Sequence, residues 1–447
     1  MLHHHRKAIT TVFSVAIVSS GCANDADLPE DQQGSTTDQP SAETPRAGLT
    51  ASYTNGEMAI ADFDGDGNDD IVIGNPTKNG GFGCPSKGEI QIWYNQGSLW
   101  YNVAPDASWN RDTAAVEGSS SCWDWFGASL AAGDFNGDGY DDLAVGVPGD
   151  DPDETNSGSI HVFYGSSTGL STANDVIYDQ DDLAGTTGAS EYFGEFLTSA
   201  DFNCDGDDDL AIGVPHEGGT ATTGGAVVVV YGGSTGLVRT SAELWDQDSS
   251  GVPDTVESGD ECGAAVVAGN FNGDTSSSIE CMDLAWGCPG EDVGSLSNAG
   301  SITVLYGSTS GLTGSGSDHW TQDTTGIVDT SSPNEEFGFY LGTDDTNTDG
   351  YDDIIVVVDD GCTTGNDLHT ILGSSGGLTD ADDAIECIDD SASSITYGPC
   401  CDNSCECKCT GPDCFSWIAD NTSCTSDLST GTHTCTFTCP GPDDPDC

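Results

Sequence analysis

The stretch Asp134-Phe135-Asn136-Gly137-Asp138-Gly139-Tyr140-Asp141-Asp142-Leu143-Ala144-Val145-Gly146-Val147-Pro148 decides how the chain is read. Acidic or amide side chains hold loop positions 1, 3, 5 and 9, glycine holds position 6, and an apolar run follows at once. Oxygen donors at alternate positions of a tight loop suit a hard cation. Ca²⁺ takes about 6–8 oxygen ligands, and glycine lets the backbone wrap around it. The candidate ligands are the side chains of Asp134, Asn136, Asp138 and Asp142 and the carbonyl of Tyr140.

The block recurs. Asp62, Asp64, Asp66, Asn68 and Asp70 hold the ligand positions of a first copy, and Asp201, Asn203, Asp205, Asp207 and Asp209 those of a third. A fourth copy offers Asn270, Asn272, Asp274 and, beyond an insertion, Asp283; a fifth offers Asp345, Asn347, Asp349, Tyr351 and Asp353. The starts at 62, 134, 201, 270 and 345 are spaced by 72, 67, 69 and 75 residues. A single acidic turn needs no metal, because Asp, Asn and Gly populate turns anyway. Five in register mean a repeat protein, with up to five Ca²⁺ sites. The fourth is expected to be the weakest, since it has Asn at position 1 and the insertion. An EF-hand needs glutamate at position 12 and flanking helices. Position 12 is Ile73, Val145, Ile212 or Val356, inside strand-like runs, so each loop is expected to join two strands.

From Ala51 to Asp390 each repeat carries the same parts in order. Phe126-Gly127, Phe193-Gly194 and Phe337-Gly338, with Cys262-Gly263 in the fourth, precede the acidic loops. After each loop comes a short apolar run such as Leu143-Ala144-Val145-Gly146. A β-rich stretch such as Ile160 to Tyr164 comes next. A last strand carries Tyr178-Asp179-Gln180-Asp181, Trp245-Asp246-Gln247-Asp248 or Trp320-Thr321-Gln322-Asp323. Length and β-branched content make these strands. Four strands per repeat is the pattern of a β-propeller blade. The expected fold is all-β: a propeller of about five four-stranded blades with a small disulfide-rich C-terminal region.

Phe126-Gly127, the acidic loop and Gly146-Val147-Pro148 together resemble the FG-GAP repeat of integrin α-subunit propellers and their bacterial relatives. The likeness covers about three-quarters of the chain, and it implies a calcium loop between the first two strands of each blade. Integrin rings have seven blades; this chain has five copies. The first copy has Tyr53-Thr54 where Phe-Gly would stand, and the fifth has Asp359-Asp360 in place of Gly-Pro.

The chain of 447 residues carries 8 basic and 76 acidic residues, a net charge of −68. Phosphate recognition relies on Lys and Arg, so a nucleic-acid partner is not expected. Nineteen cysteines point to an oxidising compartment. Residues 1–22 read as a signal peptide, with a basic start and an apolar stretch from Ala8 to Val18 that is too short to span a bilayer. Ser19-Ser20-Gly21-Cys22 resembles a lipobox, which makes Cys22 the expected lipidation site and this anchor the chain's expected contact with membrane. Residues 23–50 read as a disordered tether, residues 51–390 as the propeller, and residues 391–447 as a tail stapled by disulfides. The expected location is the cell surface or outer membrane, otherwise extracellular.

Three matches to G-x-S-x-G recur at one place in the repeat, Gly165 to Gly169, Gly232 to Gly236 and Gly373 to Gly377, and read as turns rather than nucleophile elbows. The eight histidines show no repeated placement; His161 falls in a strand and His216 and His319 in loops, none with an evident partner. Trp100, Trp109, Trp123 and Trp125 read either as packing between blades or as a sugar-stacking patch. Cys84 and Cys122 are an expected local clasp. The function these features favour is a calcium-stiffened surface scaffold for adhesion or for capture of a protein or glycan ligand. It would have no catalytic residues. The alternative is a hydrolase or lyase of polysaccharide or lipid that uses the propeller as a catalytic or accessory domain.

Overall fold

A computed structural model describes residues 57–78, 85–95, 104–152, 154–218, 223–358 and 365–379, and beyond these the backbone of five strands. The signal, tether, lipidation site and Cys84 lie outside the described residues, as do Trp100 and the tail side chains.

Two units are present. The first, through Asp390, holds five four-stranded antiparallel sheets, each a meander in chain order. Their first strands are Met58–Ala61, Leu130–Gly133, Phe196–Ala200, Ala265–Gly269 and Tyr340–Asp344. Their second strands are Asp70–Gly74, Asp142–Val147, Asp209–Val214, Asp283–Cys288 and Asp353–Val358. Each acidic loop therefore joins the first two strands of a sheet, as its sequence predicts. The third strands, such as Ser159–Tyr164, and the fourth, such as Ser171–Tyr178, complete each meander. First strands of successive sheets lie side by side from the first sheet to the fifth. The second unit holds a further four-stranded sheet of Thr396–Tyr397, Cys405–Thr410, Thr432–Phe437 and Cys424–Asp427.

The second strands of sheets two, three and four are buried at every residue. That is why they read as unbroken apolar runs rather than alternating ones. Four hydrophobic cores result, one between each pair of neighbouring sheets. Between sheets one and two, Val72, Ile90 and Ile92 meet Leu143, Val145 and Phe126.

The glycine at or next to the end of the first four second strands has a steric cause. A Cβ on Gly146 would stand 2.0 Å from the carbonyl oxygen of Gly194, in the Phe-Gly pair of the next sheet. Gly74, Gly213 and Gly287 meet Gly127, Gly263 and Gly338 in the same way, at 2.1, 2.1 and 1.8 Å. The fifth sheet has Val357 at this register position, paired with Leu368 as Gly146 is paired with Ile160. No further Phe-Gly segment follows it among the described residues.

Two disulfides join pairs of described residues in this unit. Cys262 takes the place of phenylalanine in the fourth Phe-Gly pair and bonds Cys288 at the end of its own sheet's second strand. Cys204, in the third acidic loop, bonds Cys281, at the end of the fourth. Cys122 is also disulfide-bonded. Among the described residues no helix is long and apolar enough to cross a membrane.

Candidate metal centres

The carboxylate at position 1 shapes the loop. Asp134 accepts the backbone N–H groups of Asp138 and Gly139 at 3.1 and 2.8 Å. Asp62, Asp201 and Asp345 accept the equivalent pairs in loops one, three and five. In the fourth loop Asn270 stands there, and its Oδ1 is buried without a hydrogen-bond partner.

The position-9 aspartates Asp70, Asp142, Asp209, Asp283 and Asp353 are all fully buried. One oxygen of each accepts an N–H beyond the third strand: Asn95 at 2.7 Å for Asp70, and Gly165, Gly232, Gly307 and Gly373 at 2.8 Å for the others. The other oxygen accepts a loop N–H, as from Phe202 to Asp209 at 2.8 Å. In the fourth loop the insertion folds into a small hairpin of Thr275–Ser276 and Ile279–Glu280. Asp283 still takes the position-9 seat, accepting Phe271 N–H at 3.0 Å. Burial pushes the Asp70 carboxyl up to about 7 and that of Asp142 up to about 8. Asp209 and Asp283 are raised well above the carboxylate range by the same cause. A buried carboxylate in this position favours either a proton or a nearby cation.

In the first loop Asp62, Asp64 and Asp70 bring ligand oxygens within 4.8 Å of one another. Loops two, three, four and five carry asparagine at position 3. Asn136 Nδ2 donates to Asp142 at 3.1 Å, and Asn203 Oδ1 is buried without a hydrogen-bond partner. An oxygen left unpartnered beside buried carboxylates fits a hard cation. At position 7 Asn68 stays in its own loop, donating to Asp66 at 2.9 Å, whereas the side chains of Tyr140, Asp207 and Tyr351 reach the preceding loop. The Tyr140 ring covers Gly65 of the first loop, Tyr351 covers Gly273 of the fourth, and the Asp207 carboxylate lies against Gly137 of the second.

Position 8 has a part that reading the sequence missed. Asp141 accepts the backbone N–H of Asp62 at 2.9 Å, Asp208 that of Asp134 at 3.0 Å, and Asp352 that of Asn270 at 2.7 Å. Each position-8 residue also donates its own N–H to the same neighbour's carbonyl, as Asp208 does to Asp134 at 3.0 Å. Consecutive loops are thus latched to one another. Met282 breaks the pattern in the fourth loop. It donates its N–H to Asp201 but brings no carboxylate, and the Cys204–Cys281 disulfide joins those two loops instead. The sequence signal was the doubled aspartate, Asp141-Asp142 and Asp208-Asp209, whose two members cannot be told apart in one dimension.

The G-x-S-x-G stretches are turns, and they receive a tyrosine from the preceding sheet. Leu170 and Leu378 donate N–H to the hydroxyls of Tyr94 and Tyr306 at 2.9 and 3.0 Å, and Leu312, after the equivalent turn Gly307 to Gly311 with Thr309 in place of serine, donates to Tyr231 at 3.0 Å. The histidine reading is corrected. His161 has a partner, with Nε2 2.5 Å from Asp175. His369 occupies the same register position in the fifth sheet, and both rings stand edge-on to the phenylalanine of a Phe-Gly pair. His319 lies in a strand rather than a loop, 3.7 Å from Asp254. Trp109 packs between sheets against Phe163, with centroids 5.4 Å apart, whereas Trp123 is 53% exposed.

Comparison with known proteins bears on these features. The FG-GAP repeat model matches residues 55–88, 126–163 and 193–230. Phosphatidylinositol-glycan-specific phospholipase D of Bos taurus is 30% identical over 184 residues, which is 40% of this chain and 20% of that protein. Integrin alpha-6 of Homo sapiens is 30% identical over 171 residues, 37% of this chain and 13% of the integrin. Integrin alpha pat-2 of Caenorhabditis briggsae is 31% identical over 190 residues, 41% of this chain and 15% of that protein. The chain spans a fifth or less of the length of each. The matched segments fall in sheets one, two and three, and the chain is similar there to the FG-GAP repeat and to integrin alpha chains.

Proposed function

We propose that this chain is a calcium-stiffened binding scaffold, a propeller-like array that presents loops to a protein or glycan ligand outside the cytoplasm. The observation that carries the reading is the chain of five acidic loops, each with a fully buried position-9 carboxylate and all joined in series. Ca²⁺ would be held by side chains at positions 1, 3, 5 and 9, and it would neutralise carboxylates that otherwise repel one another. The described disulfides support an oxidising compartment. Likeness to integrin alpha chains supports adhesion or ligand capture.

Likeness to the phospholipase D supports a hydrolase as the second reading, through a stretch that is 20% of that relative. His161 and Asp175 form an acid–base pair, but they are 1% and 8% exposed, which closes them to a substrate. We assign them no catalytic part.

A ligand bound by the folded state alone stabilises it by about 2.7 kcal/mol at a hundredfold excess over Kd. Millimolar Ca²⁺ is therefore expected to raise the melting temperature well above that in EDTA. Identical melting in the two would refute calcium binding. A glycan and protein array in Ca²⁺, run beside a hydrolase panel, separates scaffold from enzyme.

A further inference from the structure

At the end of the strands away from the acidic loops, each junction between sheets carries a second set of buried polar groups. Between sheets one and two it is built on Arg111, whose Nη1 lies 2.6 Å from Asp150 and 3.6 Å from Asp124. All three residues are buried. One guanidinium serves two carboxylates.

The next two junctions keep both acids and have glutamine where the first has the cation. Arg111 stands two residues beyond Trp109, the last residue of its sheet's fourth strand. Gln180 and Gln247 stand two residues beyond Tyr178 and Trp245 in the same way. Glu191 and Asp260 correspond to Asp124, each two residues before Phe193 or Cys262 as Asp124 is before Phe126. Both are 2% exposed. Glu217 and Glu291 correspond to Asp150: each donates its backbone N–H to the residue three before it, Val214 at 3.0 Å and Cys288 at 3.2 Å, as Asp150 does to Val147 at 3.0 Å. The amide of Gln180 donates to Glu217, and Gln247 Nε2 donates to Glu291 at 2.6 Å. Each glutamine is 1% exposed, and the Oε1 of each is buried without a hydrogen-bond partner. Each junction therefore gathers two carboxyl groups, one of which also accepts a backbone N–H, from Gly188 to Glu191 and from Glu257 to Asp260, and an amide oxygen without a hydrogen-bond partner among the described residues, where the first junction has a fixed positive charge.

We propose that these two junctions each take a hard divalent cation such as Ca²⁺, held by Gln180, Glu191 and Glu217 in one and by Gln247, Asp260 and Glu291 in the other. The donors are all oxygen, the set such ions prefer. Each pair of acids repels, since Glu191 raises the Glu217 carboxyl and Asp260 that of Glu291, and an ion between them reverses the repulsion. These sites are separate from the five loops and do not depend on what the loops bind. Gln322 and Glu335 repeat the first two members between sheets four and five; the segment that would supply the third lies outside the described residues.

The test counts Ca²⁺ bound to the full-length chain by equilibrium dialysis at saturating Ca²⁺. The double variant Gln180→Arg/Gln247→Arg copies the first junction and is expected to bind two fewer ions than the unaltered chain. It is also expected to melt higher in EDTA. Glu217→Gln/Glu291→Gln, which keeps the shape and removes one charge per site, is likewise expected to bind two fewer and decides the matter alone if the arginine variant does not fold. Because the reading is a difference, the number of ions in the loops cancels. Equal counts in the unaltered chain and both variants would overturn the proposal and leave a shared proton as what balances these acids.

Discussion

The carboxylate of Asp141 accepts the backbone N–H of Asp62 at 2.9 Å, across the boundary between the first two sheets. Its chain neighbour Asp142 is buried in its own sheet, accepting Gly165 N–H at 2.8 Å. Two identical residues, adjacent in sequence, thus hold different structures together. Successive side chains of a strand point to opposite faces, so one reaches back to the previous loop while the other closes its own.

The latch should be measurable as stability. Asp208→Ala leaves the Asp134 N–H without its acceptor and is expected to cost about 1–3 kcal/mol. Asp69→Ala removes the same residue type at the same loop position, but there the side chain is exposed. It is expected to stay within about 0.5 kcal/mol. Urea unfolding of both in EDTA compares them, and equal losses would refute the latch.

The boundary between sheets three and four has Met282 where its neighbours have a latching aspartate, and it should lean on its disulfide. Cys204→Ala/Cys281→Ala opens a link between residues 77 apart and is expected to cost about 2–4 kcal/mol. Cys262→Ala/Cys288→Ala opens one between residues 26 apart. Loop length alone makes that loss about 1 kcal/mol smaller. Thermal unfolding of the two double variants ranks them.

A methyl group at Gly146 has no room, since the Gly194 carbonyl oxygen lies 2.0 Å from its position. Gly146→Ala is expected to destabilise by about 3 kcal/mol, at the upper end for overpacking. At Gly342 the nearest atom to an added Cβ is 3.9 Å away. Gly342→Ala should be close to neutral, and denaturant midpoints of the two variants give the contrast.

Burial pushes the His161 imidazole down to about 4, against the opposing pull of Asp175. Its unfolded value is about 6.5. Because the folded value is the lower one, the unfolded chain binds the proton more readily between these values, so stability falls as pH drops from about 6.5 towards 4. His161→Gln is expected to remove that part of the slope while lowering stability at pH 8. Melting temperatures across the window check both; an unchanged slope in the variant would show that His161 is not its source.

The sequence by itself determined the repeat, its register and its strands. The spacing of the acidic loops and the apolar runs after them depend on local chemistry, turn residues followed by a buried strand, and local chemistry is written in order along the chain. The same holds for the G-x-S-x-G turns. Only the tertiary structure decided which aspartate of each pair faces its own loop and which faces the neighbour, because alternation in a strand has no meaning until a second sheet gives it sides. It decided that Cys204 meets Cys281, residues far apart in the chain brought together where two loops abut. It also made sense of Val357, which departs from the glycine of the other copies. That glycine is needed only where the next sheet's backbone presses against it, and no such backbone follows the fifth sheet among the described residues. The buried glutamines Gln180 and Gln247 read as one more polar strand end, until packing placed each beside acids that Arg111 shows how to balance.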